Sequence, residues 1–166
     1  ALAQKVYDRA DGQDSSAALT MELTEQGRAP RSRDMFLYRQ DKGGNVATMV
    51  RFTSPADIAG TGLLTQDPAA GDTNQWIYLP AMERVRRIDA DRKGGRFVNS
   101  DYYFEDLRDR KPAMDSHRIT GQDSVNGVAC DLLESIPAQA SNSVYKKRVS
   151  CIDPNSLLPL RVAFYE

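Results

Sequence analysis

Residues 51–64 read RFTSPADIAGTGLL, residues 75–88 read QWIYLPAMERVRRI, and residues 95–107 read GRFVNSDYYFEDL. These three runs decide the fold. Each apolar piece is too short for a stable helix and is broken by Pro55, Gly60, Gly62 or Pro80, so the pieces read as short strands between turns. The stretch holds the chain's only tryptophan and three of its five phenylalanines. It carries no cluster of chemistry-bearing residues. Aromatic and aliphatic side chains on short strands suit holding an apolar partner better than cleaving one.

On the N-terminal side, Ala17, Leu19, Met21 and Leu23 alternate with Ala18, Thr20, Glu22 and Thr24, the period of a strand with one buried face. Residues 33–40 (RDMFLYRQ) give a second strand, and Lys42-Gly43-Gly44-Asn45 turns the chain. Residues 46–53 give a third, with Val46, Val50 and Phe52 on one side. NQWIYLP is a further strand that Pro80 stops, and RVRRI is another. Trp76 and Tyr78, like Ile77 and Leu79, are apolar pairs, so which of them faces inward stays open. Ser100-Asp101 is expected to cap a short helix over YYFEDL. The first residues, ALAQKVYDRADG, suit an amphipathic helix with Leu2, Val6 and Ala10 on one face. DSHRITGQDSVNG, two strands around PAQASNS, and LRVAFYE complete the chain. Strands recurring roughly every 8–12 residues with few helices indicate an antiparallel barrel or sandwich.

A chain of 166 residues forms one domain with a sizeable core. Its 22 basic and 23 acidic residues leave a formal charge of −1, which gives no electrostatic footprint for nucleic acid. No apolar run is long enough for a membrane-spanning helix. Ala1-Leu2-Ala3 matches a small-residue processing site with nothing charged or apolar before it, so a removed signal peptide is expected. Glu166 falls inside an apparent strand, so further C-terminal strands are expected in the natural protein.

Cys130 and Cys151 are spaced for neither zinc nor CxxC redox chemistry. Folding residues 128–136 against 144–152 with Ile136 opposite Tyr145 places Glu134 against Lys147, Leu132 against Val149, and Cys130 against Cys151. Opposed residues of an antiparallel pair are close enough to bridge. A disulfide is therefore expected, and with it an oxidising compartment. The one histidine, His117, lies in a charged segment and reads as surface. Asp8/Asp11, Asp89/Asp91 and Glu105/Asp106 read as solvated charge. No phosphate-binding loop, catalytic triad or metal-ligand set is present in the sequence, so neither a cofactor nor catalysis is expected. Arg84, Arg86, Arg87, Arg92 and Arg96 suit either an acidic partner or lipid phosphate, or a charged edge that discourages strand pairing.

Taken together, R-F-x-x-P-x-D-I-x-G-T-G-L-L, W-I-Y-L-P-A-x-x-R-V-R-R-I and F-x-x-S-D-Y-x-x-E-D-L resemble the outer-membrane lipoprotein-sorting protein family. Its members are relatives of the periplasmic lipoprotein carrier LolA and its receptor LolB. The likeness is to the branch found beside resistance-nodulation-division exporters. It implies a mainly β (α+β) fold, an incomplete antiparallel β-barrel with short helices covering its concave face, in one domain over 1–166. It implies a periplasmic, non-enzymatic carrier or chaperone for a lipid or lipidated ligand, serving such an exporter or an outer-membrane acceptor. The alternative is an accessory protein of an envelope export complex whose barrel its own side chains fill.

On this reading Leu19, Met21, Leu23, Phe36, Tyr38, Val50, Phe52, Leu63, Trp76, Tyr78, Tyr103 and Phe104 are the candidate cavity and lid residues. YYFEDL is the candidate cover. Arg84, Arg86 and Arg87 are the candidate docking residues for a partner or headgroup. An open barrel edge suits pairing with a second copy.

Overall fold

The structure, a computed structural model, describes residues 1–88 and 95–166. The carboxylate pair Asp89/Asp91 and Arg92 lie outside the described residues. The chain divides into two compact units, Gly12–Asp109 and a second made of Ala1–Asp11 with Arg110–Glu166. Each holds an antiparallel sheet that does not close, and the helical elements are short. The fold is thus mainly β, as the spacing of turns and apolar runs requires.

The first unit is a meander of β1 (Asp14–Leu23), β2 (Arg31–Lys42), β3 (Asn45–Ser54), β4 (Gly62–Asp67), β5 (Asn74–Leu79) and β6 (Arg84–Arg87), each beside the next. Gly43 and Gly44, with φ of 64° and 82°, close β2 onto β3 in the two-residue turn that matches strand twist. Between β3 and β4, Gly60 has φ +85°, and a Cβ there would lie 3.2 Å from Pro80 Cγ. Backbone and packing both demand glycine at that position. One row across the sheet runs Ala17–Leu37–Val50–Leu63–Ile77–Arg86. Met35, Val50, Phe52, Leu63 and Ile77 of this inner face form the core with Phe97. Val46, Val50 and Phe52 are buried on the side expected of them.

In the second unit, β7 (Asp115–Val125), β8 (Val128–Pro137), β9 (Lys147–Ile152) and β10 (Pro159–Tyr165) pair in the order β10-β9-β8-β7. Asn126 and Gly127, both at positive φ, make the β7–β8 turn. Helix α1 (Leu2–Tyr7) lays Ala3, Leu2 and Val6 on Leu133 and Ile152. Ala10 lies past its end, so the apolar face is shorter than the periodicity suggests. Arg110 and Arg148 reach Asp115 at 2.6 and 2.5 Å.

Cys130 and Cys151 form the expected disulfide, with Cα atoms 5.3 Å apart. The strand register differs from the expected one by two residues. Leu132 lies opposite Cys151, and Glu134 opposite Val149. A shift of two leaves every side chain on its own face, so the cysteines meet diagonally. Glu134 still reaches Lys147 Nζ, at 3.4 Å. The β8–β9 connection sets this register, and it is wound into a 3-10 turn at Ala140–Asn142. Tyr145 falls outside β9 and does not pair with Ile136.

Candidate apolar cavity and its cover

The sheet of the first unit sorts the candidate cavity residues by strand parity, since successive side chains point to opposite faces. Leu19, Met21, Leu23, Val50, Phe52 and Leu63 belong to the inner face. Phe36, Tyr38, Trp76 and Tyr78 belong to the other one, in the rows Ala18–Phe36–Arg51–Gly62–Tyr78–Val85 and Ser16–Tyr38–Met49–Leu64–Trp76–Arg87. The ten strand candidates are therefore divided between the two faces of the sheet, six inner and four outer. Both parities of β2 and β5 are apolar, so hydrophobicity alone does not orient them. The segment packed on the inner face does.

That segment, Gly95–Arg108, contains YYFEDL, the candidate cover, and extends it on both sides. The Phe97 N–H donates to Tyr102 O at 2.7 Å and the Phe104 N–H to Gly95 O at 3.1 Å, folding the segment on itself. Ser100 Oγ donates to Phe97 O at 2.7 Å and accepts from the Tyr102 N–H at 3.2 Å. The Arg96 guanidinium stacks 4.2 Å from the centre of the Tyr103 ring. YYFEDL yields only one 3-10 turn, Phe104–Leu107. The expected Ser100-Asp101 cap is replaced by Asp106, which accepts from the Tyr103 N–H at 2.8 Å. Phe104 packs edge-on to Phe97, 5.8 Å between centres, and Phe97 tilts against Phe52 at the same separation.

Buried polar groups fasten the cover to the sheet. Gln75 is wholly buried. Its Nε2 donates to Thr65 Oγ1 at 3.1 Å and to Phe104 O at 3.0 Å, while its Oε1 accepts from Arg108 Nε at 2.9 Å. Asp67, also buried, accepts from the Asp109 N–H at 2.9 Å and from the Thr73 hydroxyl. At the other end Arg33 donates to Val98 O. Burial, then the nearby Arg31, pull the Arg33 guanidinium below its ordinary value, against the attraction of Asp57. Val98 itself sits at φ 46°, a left-handed conformation that β-branched residues rarely adopt. None of these fasteners stands out in the sequence as functional. The available signal was a polar residue in phase with apolar ones, as Gln75 is with Ile77 and Leu79.

Between the cover and β1–β3 lies a cavity of about 410 Å³ lined by Leu19, Thr20, Met21, Glu22, Met35, Leu37, Val50, Phe97, Tyr102 and Leu107. Leu19, Met21 and Val50 were expected there. Met35 and Leu37 were not, because they alternate with the more conspicuous Phe36 and Tyr38. Phe52 and Leu63 lie beneath it, each 1% exposed, and fill the centre of the unit. Leu23 lines a neighbouring, more polar recess of about 370 Å³ with Glu22, Glu25, Arg31, Ser100 and Tyr102. Tyr103 is buried in the cover.

The arginines of β6 do not form one patch. Arg84 and Arg86 stand opposite Leu79 and Ile77, whereas Arg87 stands opposite Trp76 and donates to Asn74 Oδ1. In the second unit His117 is half-buried rather than on the surface. Its Nδ1 lies 2.8 Å from Ser135 Oγ and its Nε2 2.8 Å from Pro112 O. The carbonyl only accepts, so Nε2 holds the proton and the ring is spent on structure. Among the described residues no group of His, Cys, Asp and Glu is arranged to hold a metal, and no helix is long and apolar enough to cross a membrane.

Comparison with known proteins agrees with this architecture. A family model described as "Uncharacterized protein" matches residues 44–166. No curated protein matches the chain. A Vibrio parahaemolyticus domain described as an outer membrane lipoprotein-sorting protein superposes with a TM-score of 0.91 at 32% identity, over 99% of this chain and 70% of that one. A DUF1329 family protein from Desulfovibrio piger gives 0.88 at 27% identity, over 99% and 71%. A LolA superfamily protein from Nitrosomonas europaea gives 0.70 at 14% identity, over 99% and 70%, a likeness of fold.

Proposed function

We propose a function from the premise that this chain belongs to the outer-membrane lipoprotein-sorting protein family: it is a periplasmic carrier that holds a lipid or lipidated ligand under the Gly95–Arg108 cover. The observation that carries this is the cavity of about 410 Å³ with a mostly aliphatic and aromatic wall. Its size falls in the range of small-molecule sites. A dozen buried methylenes are worth on the order of 10 kcal/mol before ordering costs. Such a ligand leaves slowly unless the cover moves. The Cys130–Cys151 disulfide suits the oxidising periplasm. The two units are taken as parts of one lipoprotein-sorting domain. The proposal includes no catalytic step. It includes delivery to a resistance-nodulation-division exporter or an outer-membrane acceptor, and pairing of copies through the edge strands of the sheets.

The packed centre favours a second reading, an accessory protein of an export complex that carries nothing. Phe52, Leu63 and Phe97 are each 1% exposed and fill the centre, and the cavity lies beside them at the β1–β3 flank. Native mass spectrometry of the protein from its periplasm, followed by organic extraction, separates the two. A reproducible bound lipid that Leu37→Glu abolishes is the expected result. A clean apo mass with no uptake of offered lipid selects the accessory reading.

A further inference from the structure

We propose that the outer face of the first sheet docks onto the surface of an anionic phospholipid bilayer, with the half-buried Trp76 on the β5–β6 side of the contact. This surface is distinct from the cavity and does not depend on what the cavity holds. Its two rows cross six strands, roughly 24 Å at ordinary strand spacing. Phe36 and Tyr38 on β2 are 41% and 46% exposed, and Tyr78 on β5 and Val85 on β6 are 40% and 65% exposed, all on the same face with Met49, Arg51, Gly62 and Leu64 between the two pairs. Each row carries one cation, Arg51 between Phe36 and Gly62, and Arg87 beside Trp76. Neither row contains a carboxylate. The acids of this face, Asp14, Glu22 and Asp34, lie in the flanking rows at the β1–β2 side, and Asp34 is occupied by the Ser54 and Thr20 hydroxyls.

This combination fits a lipid surface. Tyrosine and tryptophan settle at headgroup level with their rings toward the acyl chains. Guanidinium groups pair with phosphate. An acidic protein partner would satisfy the arginines but is not required by the amphipathic tyrosines.

The chain has a single tryptophan, so its fluorescence reports this face alone. The full chain would be titrated with unilamellar vesicles of phosphatidylglycerol and phosphatidylethanolamine, and with pure phosphatidylcholine. The expected result is a blue shift of Trp76 emission, quenching by lipids brominated near the headgroup, and co-sedimentation, all with the anionic vesicles only. The double variant Arg51→Glu, Arg87→Glu is expected to lose roughly ten- to thirtyfold in partition, and the Arg51→Lys, Arg87→Lys control to retain most of it. Leu37→Glu, which tests the cavity, is expected to leave docking intact, so the two readings fail separately. The proposal is overturned by emission that does not move at saturating anionic lipid, by equal binding to phosphatidylcholine, by binding that survives the double charge reversal, or by a shift without co-sedimentation, which would mean lipid extraction.

Discussion

Gln75 concentrates at one residue what fixes the cover over the sheet. Its side-chain amide satisfies Thr65, the Phe104 carbonyl and Arg108 together, away from water. Gln75→Leu keeps the volume but removes the hydrogen bond to each of those three partners, so a loss of about 1–3 kcal/mol is expected, read as a lower urea midpoint at unchanged slope. An unaltered midpoint would mean that water replaces the amide. Glu134 offers a test by titration. A hydrogen bond from Arg118 at 2.6 Å, and then Lys147, hold its carboxyl below the ordinary glutamate value, with burial opposing them. A folded value below the unfolded one of about 4.3 stabilises the fold above that pH and loses the contribution as pH falls through the folded value. Glu134→Gln should flatten that part of the acid limb. Parallel acid limbs for parent and variant would dismiss the pair as a contributor. Neither role was legible in isolation: Gln75 reads as an ordinary strand residue, and Glu134 was placed opposite Lys147 when it lies diagonal to it.

At the scale of elements, the strands were legible because turn chemistry and alternation agree. Gly43-Gly44 and Asn126-Gly127 take the positive φ values that their hairpins require. Of the segment packed on the inner face, only YYFEDL stood out in the sequence as a candidate cover, and its expected helix is a single 3-10 turn, because its shape comes from contacts with itself and the sheet rather than from helix propensity. The β8–β9 hairpin shows the same limit. Charge and cysteine matching placed the strands on the correct faces but two residues out of register, since the connecting loop sets the offset. Its disulfide spans 21 positions. Replacing both cysteines with serine is expected to cost about 3 kcal/mol by the chain-entropy model, measured by denaturant unfolding of the oxidised parent against the variant. Equal midpoints would show that the strands alone define the hairpin.

At the scale of the whole molecule, the sheet of the first unit has two unlike apolar faces. The inner one is closed by the cover and retains a cavity at the β1–β3 flank. The outer one exposes Phe36, Tyr38 and Tyr78, with Trp76 half-buried beside them. Leu37→Glu places an unpaired charge in the cavity wall, at a half-buried position rather than in the packed centre, so the fold is expected to survive while lipid retention is lost. Co-purifying lipid counted per protein is the readout, with circular dichroism as the control for folding. Undiminished lipid in that variant would move the ligand away from this cavity.

The sequence by itself determined the mainly β architecture, the order of the strands, the disulfide partners and the family, because turn residues, alternation and motif order act over a few residues and survive in any context. The tertiary structure decided which side of each strand faces inward, how the β8–β9 strands align, and where space remains for a ligand. β2 and β5 carry apolar side chains on both faces, so their orientation is chosen by what packs against them. Packing against Phe97, Phe104 and Leu107 turned Met35, Leu37 and Ile77 inward and left Phe36, Tyr38, Trp76 and Tyr78 on the outer face.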